Sequence, residues 1–289
     1  MTKKRRAGLI AGSVLLLSAL PLQAQTPEGW TKPLTGHRVI GNLYAVGTYD
    51  LGVFLITSEA GHILINTGLE DSTPQIRANI ESLGFELKDI AILLTMQAHF
   101  DHTGALAEIK ELAGAEMWAT KHDAKVLADG GFSDPHFGGE VSFAPVGVDR
   151  ILVDGEVIER GETRLTVHEH PGHTRGSSSY TMTVNEDGHE YRVGIVNMGT
   201  INPGKRLFVD PTYPGVGEDF AETYRKQKAM LVDVWVAAHG SQYHLHEKWK
   251  PGQPYSPATF VDPEGLRAEV ERLEAIYLEQ VAAERAAKD

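Results

Sequence analysis

Short apolar runs broken by glycines fill the chain from residue 37 to residue 65, and their spacing is typical of β-strands. The apolar positions are Val39, Leu43, Val46, Val53, Leu55, Ile63 and Ile65. Thr73 and Pro74 then open a segment with helical periodicity. Its apolar side chains fall on one face: Ile76, Ile80 and Leu83. The continuous apolar run at 89–95 predicts a strand that is buried on both faces.

The second half of the chain repeats this order of strands and helices. Strands are predicted at 149–153, 163–168, 178–184, 191–196 and 232–237. Helices are predicted at 104–112, 122–128 and 218–231, and a long one follows Pro263. Strands followed by helices, twice over, indicate two sheets packed face to face with helices outside. The predicted fold class is therefore α+β, with a four-layer αββα sandwich.

The first 24 residues have the pattern of a secretory signal. Four basic residues at 3–6 precede an apolar run at 7–22, and the small residue Ala24 stands where a signal peptidase would cut. The alternative is a membrane anchor, but the run is short and contains Pro21, whereas a spanning helix needs about 20 apolar residues. We therefore expect a signal peptide at 1–24, a single domain at 25–289, and a periplasmic protein with no membrane attachment after cleavage.

Composition narrows the chemistry that the chain can carry out. The chain has no cysteine, so it forms no disulfide, and any metal site must use histidine, carboxylate or neutral oxygen and nitrogen ligands. The formal charge of −12 becomes more negative still when the four basic residues of the signal are removed. Such an acidic protein is not expected to have nucleic acid or an anionic membrane as its partner.

The strongest chemical signal lies in residues 97–102, directly after the predicted buried strand. Gln97, His99, Asp101 and His102 concentrate imidazole and carboxylate donors on one short loop, as a zinc site requires. The alternative is a polar surface turn with two incidental histidines. Two further loops favour the metal site, since His173 and His239 each follow a strand-like run. Three histidine-bearing loops that leave strands in this way are expected at one rim of a sandwich.

These motifs resemble the metallo-β-lactamase superfamily, in which the pattern H-x-H-x-D-H is followed by Gly-His-Thr and a third histidine. The resemblance runs from about Leu43 to His246. Because the chain has no cysteine and pairs Asp101 and His102 with His239, it is most similar to the subclass B3 β-lactamases. The segment at 197–204 and a glutamine at the first ligand position resemble the GOB-type members of that subclass.

The resemblance implies a binding site for one or two zinc ions. Gln97, His99 and His173 would hold one ion, and Asp101, His102 and His239 the other. An amide oxygen is a weaker zinc ligand than an imidazole nitrogen, so the position with Asp101 is expected to bind more tightly. Asn66 stands where many members of the superfamily have an aspartate. We expect Asn66 to form local hydrogen bonds.

The resemblance also implies a mechanism. Zinc lowers the pKa of bound water from about 15.7 toward 7, and the resulting hydroxide attacks the amide carbonyl of a β-lactam. Asp101 is the predicted catalytic residue, because it ligates zinc and orients this nucleophile. Thr200 and Asn202 are weaker candidates for binding the substrate carboxylate. The glycine- and proline-rich segment at 130–147 is a long loop of the kind that closes over a substrate.

Two other functions compete with β-lactam hydrolysis. One is hydrolysis of a lactone, thioester or phosphoester by the same centre, and the other is metal binding without catalysis. Export and the ligand set without a thiol favour the β-lactamase, and a retained Asp101 beside the histidines argues against a protein without activity. Nearby histidines, His168 and His170, are expected to support the site and not to ligate metal.

Overall fold

The computed structural model describes residues 26–287, and it contains two β-sheets packed face to face. The predicted signal peptide lies outside the described residues, so the division at residue 24 stays a prediction. The first sheet has seven strands in chain order: β1 (His37–Ile40), β2 (Leu43–Ala45), β3 (Phe54–Ile56), β4 (His62–Ile65), β5 (Ile90–Leu94), β6 (Glu116–Thr120) and β7 (Arg150–Leu152). Strands β1 to β4 pair antiparallel, and β4 to β7 pair parallel.

The second sheet has five strands: β8 (Val157–Arg160), β9 (Thr163–Glu169), β10 (Ser178–Glu186), β11 (His189–Val196) and β12 (Val234–Ala237). Their order across the sheet is β12-β11-β10-β9-β8. Neighbours pair antiparallel except β11 and β12, which are parallel. Strands β5 and β12, one in each sheet, end at the same edge of the sandwich, because Asp101 and His239, which follow them, lie 3.5 Å apart.

Helices lie on the outer faces of the sheets and along the edge of the sandwich. They are α1 (Glu28–Thr31), α2 (Thr73–Ser82), α3 (Phe100–Thr103), α4 (Leu106–Ala113), α5 (Lys121–Ala128), α6 (Val216–Lys228), α7 (Leu245–Lys248) and α8 (Gly265–Ala286). Short 3₁₀ turns lie at Leu87–Asp89, Gly240–Tyr243 and Pro257–Phe260. Among the described residues, no helix combines the length and the apolar character needed to cross a bilayer.

The side chains of strand β5 contribute to two separate apolar cores, one on each face of its sheet. Ile92 and Leu94 point into the apolar core between the sheets, while Leu93 points into a second core beneath the outer helices. Side chains alternate across a strand, so an uninterrupted apolar run satisfies two cores at once. On the outer side Leu93 belongs to the same cluster as Ile80 and Ile109. The predicted αββα sandwich is confirmed.

Several boundaries differ from the sequence prediction. Strands β6 and β8 were not predicted, because β6 has only five residues and β8 only four. Helix α6 ends at Lys228 and not at residue 231, since the chain leaves the core there and Leu231 is 73% exposed. The predicted helix at 104–112 is preceded by a separate short helix, α3, which carries Asp101 and His102.

Candidate metal centre

The six predicted ligands lie together at one edge of the sandwich. Gln97 to His102 follow β5, the loop with His173 follows β9, and His239 follows β12. Five of the six residues are buried and His239 is half-buried. The loop after β5 packs closely against its neighbour, because a Cβ at Gly104 would lie 2.4 Å from the Glu70 nitrogen. The short connections therefore fix where the ligands lie.

Asp101, His102 and His239 form the first of two donor groups, and their potential ligand atoms all lie within 4.8 Å of one another. Asp101 Oδ2 is 3.3 Å from His102 Nε2 and 3.5 Å from His239 Nε2. Burial acts to raise the pKa of Asp101, but the adjacent His102 and His239 outweigh it and hold that pKa below its usual range. Burial lowers the pKa of His102. An ionised carboxylate beside a neutral imidazole is a set of donors that binds zinc.

Gln97, His99 and His173 form the second donor group. His99 Nδ1 lies 3.1 Å from His173 Nε2. His173 Nδ1 contacts the Thr200 carbonyl oxygen at 2.7 Å, so we assign the ring proton to Nδ1 and a lone pair to Nε2. Burial lowers the pKa of His173 well below its usual value, which favours this neutral ring.

Several donor atoms in these groups are buried without a hydrogen-bond partner. They are Gln97 Oε1 and both ring nitrogens of His102. Buried polar atoms are nearly always satisfied in folded proteins, so such a concentration at one rim calls for an absent partner. A metal cation fits, because it accepts lone pairs from imidazole, carboxylate and amide donors alike. The residues present therefore match the predicted zinc centre in chemistry and in placement.

The chain also resembles proteins of known structure and family. Residues 53–183 match the sequence model of the metallo-beta-lactamase superfamily. The chain is 43% identical to the metallo-beta-lactamase GOB-18 from Elizabethkingia meningoseptica, with a TM-score of 0.87 over 90% of this chain and 96% of that one. The chain belongs to the metallo-beta-lactamase superfamily. It is thus a hydrolase of that superfamily, as the sequence predicted.

Other similar proteins match this chain over very different lengths. The class B3 di-zinc metallo-beta-lactamase LRA-12 from an Alaskan soil metagenome is 45% identical, with a TM-score of 0.86 over 89% of this chain and 97% of that one. The hydroxyacylglutathione hydrolase of Rhodospirillum rubrum is 32% identical over 36% of this chain. The match spans 33% of that curated relative and 46% of a second hydroxyacylglutathione hydrolase. The solved subclass B3 structures are therefore matched over nearly their whole length, and these curated hydrolases over less than half.

Asn66 forms hydrogen bonds beneath the superfamily's ligand loop, with partners 14 and 30 positions away in the sequence and not the local ones expected. Its Oδ1 accepts from the Met96 backbone nitrogen at 2.9 Å, and its Nδ2 donates to the Gly52 carbonyl at 3.0 Å. Its φ of 65° lies in the left-handed region, which asparagine tolerates better than most residues. Asn66 thereby ties the residue before the ligand loop to the neighbouring strand connection.

The turn that carries His173 is held by two buried charged side chains. Lys205 Nζ donates to the carbonyl oxygens of Gly172 at 3.1 Å and His173 at 2.6 Å, and burial lowers the pKa of Lys205 to about 8. Asp123 accepts from the Gly176 backbone nitrogen at 3.0 Å. Sequence reasoning missed both residues, because each belongs to a different element and only the folded chain brings them to this turn.

Two acidic residues that the sequence did not single out lie behind ligand histidines. Asp50 Oδ2 is 3.2 Å from His239 Nδ1. Burial acts to raise the pKa of Asp50, but hydrogen bonds from His239 and from the Ser241 backbone outweigh it and lower that pKa to about 2. Asp134 Oδ2 is 3.7 Å from His99 Nε2. Asp134 belongs to the loop at 130–147, so this loop reaches the centre through a carboxylate.

A row of aromatic rings lies along the same rim. Trp30 is 5.7 Å from the ring of His239 and 6.0 Å from Phe100. Phe137 is 6.4 Å from Phe100 and 4.8 Å from His99, measured between ring centroids. The row therefore connects one donor group to the other. Trp30 comes from α1, which the sequence pattern did not predict.

The weaker candidates have defined surroundings. Thr200 contacts His173 Nδ1 through its carbonyl oxygen and, at 3.0 Å, through its hydroxyl. Asn202 is half-buried, and its backbone carbonyl accepts a hydrogen bond from the Lys205 backbone nitrogen. Whether Thr200 and Asn202 bind substrate stays a prediction. His170 is buried, and its Nδ1 contacts the Ser179 hydroxyl at 2.7 Å.

Proposed function

We propose that this protein is an exported, zinc-dependent β-lactamase that hydrolyses the amide bond of β-lactam antibiotics. The observation that carries the proposal is its likeness to subclass B3 β-lactamases along about nine-tenths of the chain, at 43–45% identity. Activity depends on loops outside the shared core, so likeness over nearly the full length supports a common substrate class better than a match to part of the chain.

The ligand residues divide between two metal positions. Position 1 consists of Gln97, His99 and His173, and position 2 consists of Asp101, His102 and His239. Zinc, when bound, acts as a Lewis acid toward a carbonyl oxygen and lowers the pKa of water toward 7. Position 2 contributes a charged ligand and two imidazoles, and we propose that it holds its ion more tightly than position 1.

Asp101 is the proposed catalytic residue. Its carboxylate is ionised and buried between His102 and His239, so it accepts hydrogen bonds strongly in a setting of low dielectric constant. There it accepts a hydrogen bond from the attacking water and fixes the direction of attack on the substrate carbonyl. A water already held in this orientation loses little further entropy when it reaches the transition state.

The remaining groups of the rim bind and orient the substrate. Trp30, Phe100 and Phe137 offer an apolar wall for a hydrophobic substituent of the antibiotic. The Thr200 carbonyl is the nearer acceptor for the His173 ring proton, which leaves the Thr200 hydroxyl hydrogen free to donate to a substrate carboxylate. Asn202 is proposed to donate a second hydrogen bond to that carboxylate.

Periplasmic location is part of the proposal. It is supported by the basic residues at 3–6, the apolar run at 7–22 and the small residue before the expected cut. Mass spectrometry of the protein from a periplasmic extract should show a chain that begins at or near Gln25. A membrane fraction that retains residues 1–24 would contradict this part of the proposal.

The rival function is hydrolysis of a lactone or a glutathione thioester, the latter suggested by the curated hydroxyacylglutathione hydrolases. The two are separated by comparing kcat/KM of the zinc-loaded protein on a penicillin, a cephalosporin, a carbapenem, a homoserine lactone and a glutathione thioester. We expect the β-lactams to be preferred. The rival replaces our proposal if a lactone or thioester is turned over on the order of a hundredfold faster than every β-lactam.

A further inference from the structure

We propose that Asp50 and Asp134 are positioning residues, each of which orients one ligand histidine and thereby tunes one metal position independently of the other. Asp50 serves position 2 through His239, and Asp134 serves position 1 through His99. This inference rests on the metal centre of the proposed function but not on its substrate.

A histidine ligates metal through one neutral ring nitrogen, so the ring proton must stand on the other nitrogen. A carboxylate behind the ring holds that proton, fixes the orientation of the ring and makes the ligating nitrogen more basic. Carboxylates in this place typically change metal affinity about 10- to 100-fold.

Asp50 meets this requirement at His239. Its Oδ2 faces His239 Nδ1 at 3.2 Å, which leaves His239 Nε2 directed toward Asp101 at 3.5 Å. The other oxygen, Oδ1, accepts from the Ser241 backbone nitrogen at 2.8 Å. The backbone of Asp50 also accepts from the Gly240 nitrogen at 2.6 Å. Asp50 therefore clamps both the ring and the turn that follows it.

Asp134 has the corresponding place at His99, behind the nitrogen that faces away from His173. Both side chains are buried, with 3% of His99 and 5% of Asp134 exposed. Among the described residues, Asp134 is the one acidic side chain that forms an ion-pair contact within 4 Å of His99. His99 Nε2 has no hydrogen-bond partner there. The 3.7 Å separation is about 0.7 Å longer than a hydrogen bond, and the proposal requires the two groups to approach by that distance when metal orients the ring.

Phe137 keeps Asp134 in this place. The Phe137 backbone nitrogen donates to Asp134 Oδ2 at 2.8 Å, and the Phe137 ring packs on His99 at 4.8 Å. One short segment of the loop at 130–147 thus contacts the ligand through both a carboxylate and an aromatic ring. The conformation of this loop is thereby coupled to position 1, while position 2 depends on the chain around Asp50.

The loop also supplies a matched control. Asp129 Oδ1 accepts from the Ser133 backbone nitrogen at 3.1 Å, the same kind of loop contact that Asp134 makes with Phe137. No ion pair between Asp129 and a histidine occurs among the described residues. Asp129→Asn therefore tests the structural role of a loop carboxylate without removing one from the centre.

The test is a zinc titration of the metal-free protein against a chromophoric chelator, repeated with Co²⁺ and its visible absorption. His173→Ala and His102→Ala assign each binding step to position 1 or position 2. We expect Asp134→Asn to weaken position 1 about tenfold and Asp134→Ala by up to about a hundredfold, with position 2 unchanged. Asp50→Asn should weaken position 2 and leave position 1 as it was. Asp129→Asn should change neither.

The asparagine variants keep an oxygen for the backbone amides, and melting of each metal-free variant checks that folding is intact. The inference is overturned if Asp134→Asn binds zinc as Asp129→Asn does, or if the Asp50 and Asp134 variants weaken both steps equally. No substrate is used, so failure of an antibiotic assay would leave this result standing, and failure here would leave β-lactam hydrolysis untouched.

Discussion

His99 and His173 face each other through ring nitrogens that are 3.1 Å apart. His173 Nδ1 donates its proton in a hydrogen bond to the Thr200 carbonyl, so His173 Nε2 presents a lone pair to His99. If Asp134 binds the proton of His99, two lone pairs meet across this gap and repel each other. A cation between the rings converts that repulsion into attraction, which is the physical reason for expecting metal here.

Metal should accordingly stabilise the fold. We expect zinc at a hundredfold excess over its Kd to add about 3 kcal/mol to the free energy of unfolding. For a domain of this size that corresponds to a rise in Tm of about 5–10 °C. Thermal unfolding with added zinc, with a chelator and with Mg²⁺ as the control measures this. Equal Tm values with zinc and with chelator would contradict the account.

The two positions should fill unequally. We expect one equivalent of zinc to survive dialysis, because Gln97 offers position 1 only a neutral amide oxygen. Gln97→His should raise the zinc affinity of position 1 above that of the unmodified protein, and Gln97→Ala should lower it below that value. Metal analysis of the three dialysed proteins decides the point. Two equally tight zinc ions in the unmodified protein would show that Gln97 does not weaken its position.

Asp101→Ala should abolish turnover, because it removes a zinc ligand together with the group that orients water. We expect a loss in kcat on the order of 10³-fold or more. The control is Asp71→Ala, which removes an exposed carboxylate from a nearby loop. Metal content is measured alongside the rate. Near-normal turnover by an Asp101→Ala protein that still binds metal would refute the proposed role of Asp101.

Stability should also depend on pH through His37, which is not one of the predicted metal ligands. Burial lowers the pKa of His37 to about 4, and the ring stacks on Trp249 at 3.7 Å. Between pH 6.5 and pH 4 the unfolded chain binds this proton and the folded chain does not. The free energy of unfolding is therefore unaffected by His37 above pH 6.5. It falls by up to about 3 kcal/mol as the pH decreases toward 4.

His37→Phe isolates that contribution. The phenyl ring keeps the stacking on Trp249 but does not titrate, and it loses the contact with the Thr35 carbonyl at every pH. Urea unfolding of the metal-free proteins between pH 4.5 and pH 7 should show a shallower loss of stability for His37→Phe. Parallel stability curves for the two proteins would contradict the assignment. Other buried histidines, such as His170, are present in both proteins and cancel in the difference.

The sequence predicted the parts of the centre whose signal is local. The ligand loop could be recognised because four donors stand within six residues, directly after a run whose continuous apolar character marks a strand buried on both faces. His173 and His239 could be found by the same logic, since each follows a strand. The αββα fold followed from the alternation of strands and helices.

The supporting residues carry no such signal. Asp50 is separated from His239 by 189 positions, and nothing in its neighbours distinguishes it from a surface aspartate. Asp134 lies in a loop whose sequence indicated function without indicating which residue performs it. Trp30 belongs to a four-residue helix, too short to show a periodic pattern. Each acquires its role only when the chain folds and brings distant segments together.

The central claim is tested most directly by one assay of the purified protein, residues 25–289, with a carbapenem. Hydrolysis is followed by the loss of ring absorbance with zinc, after chelation, after zinc is restored, and with clavulanate, a serine-directed inhibitor. We predict turnover that chelation abolishes, zinc restores and clavulanate leaves unchanged, since no serine takes part. Turnover that persists in the zinc-free protein, or a zinc-loaded protein that opens no β-lactam ring, would contradict the account.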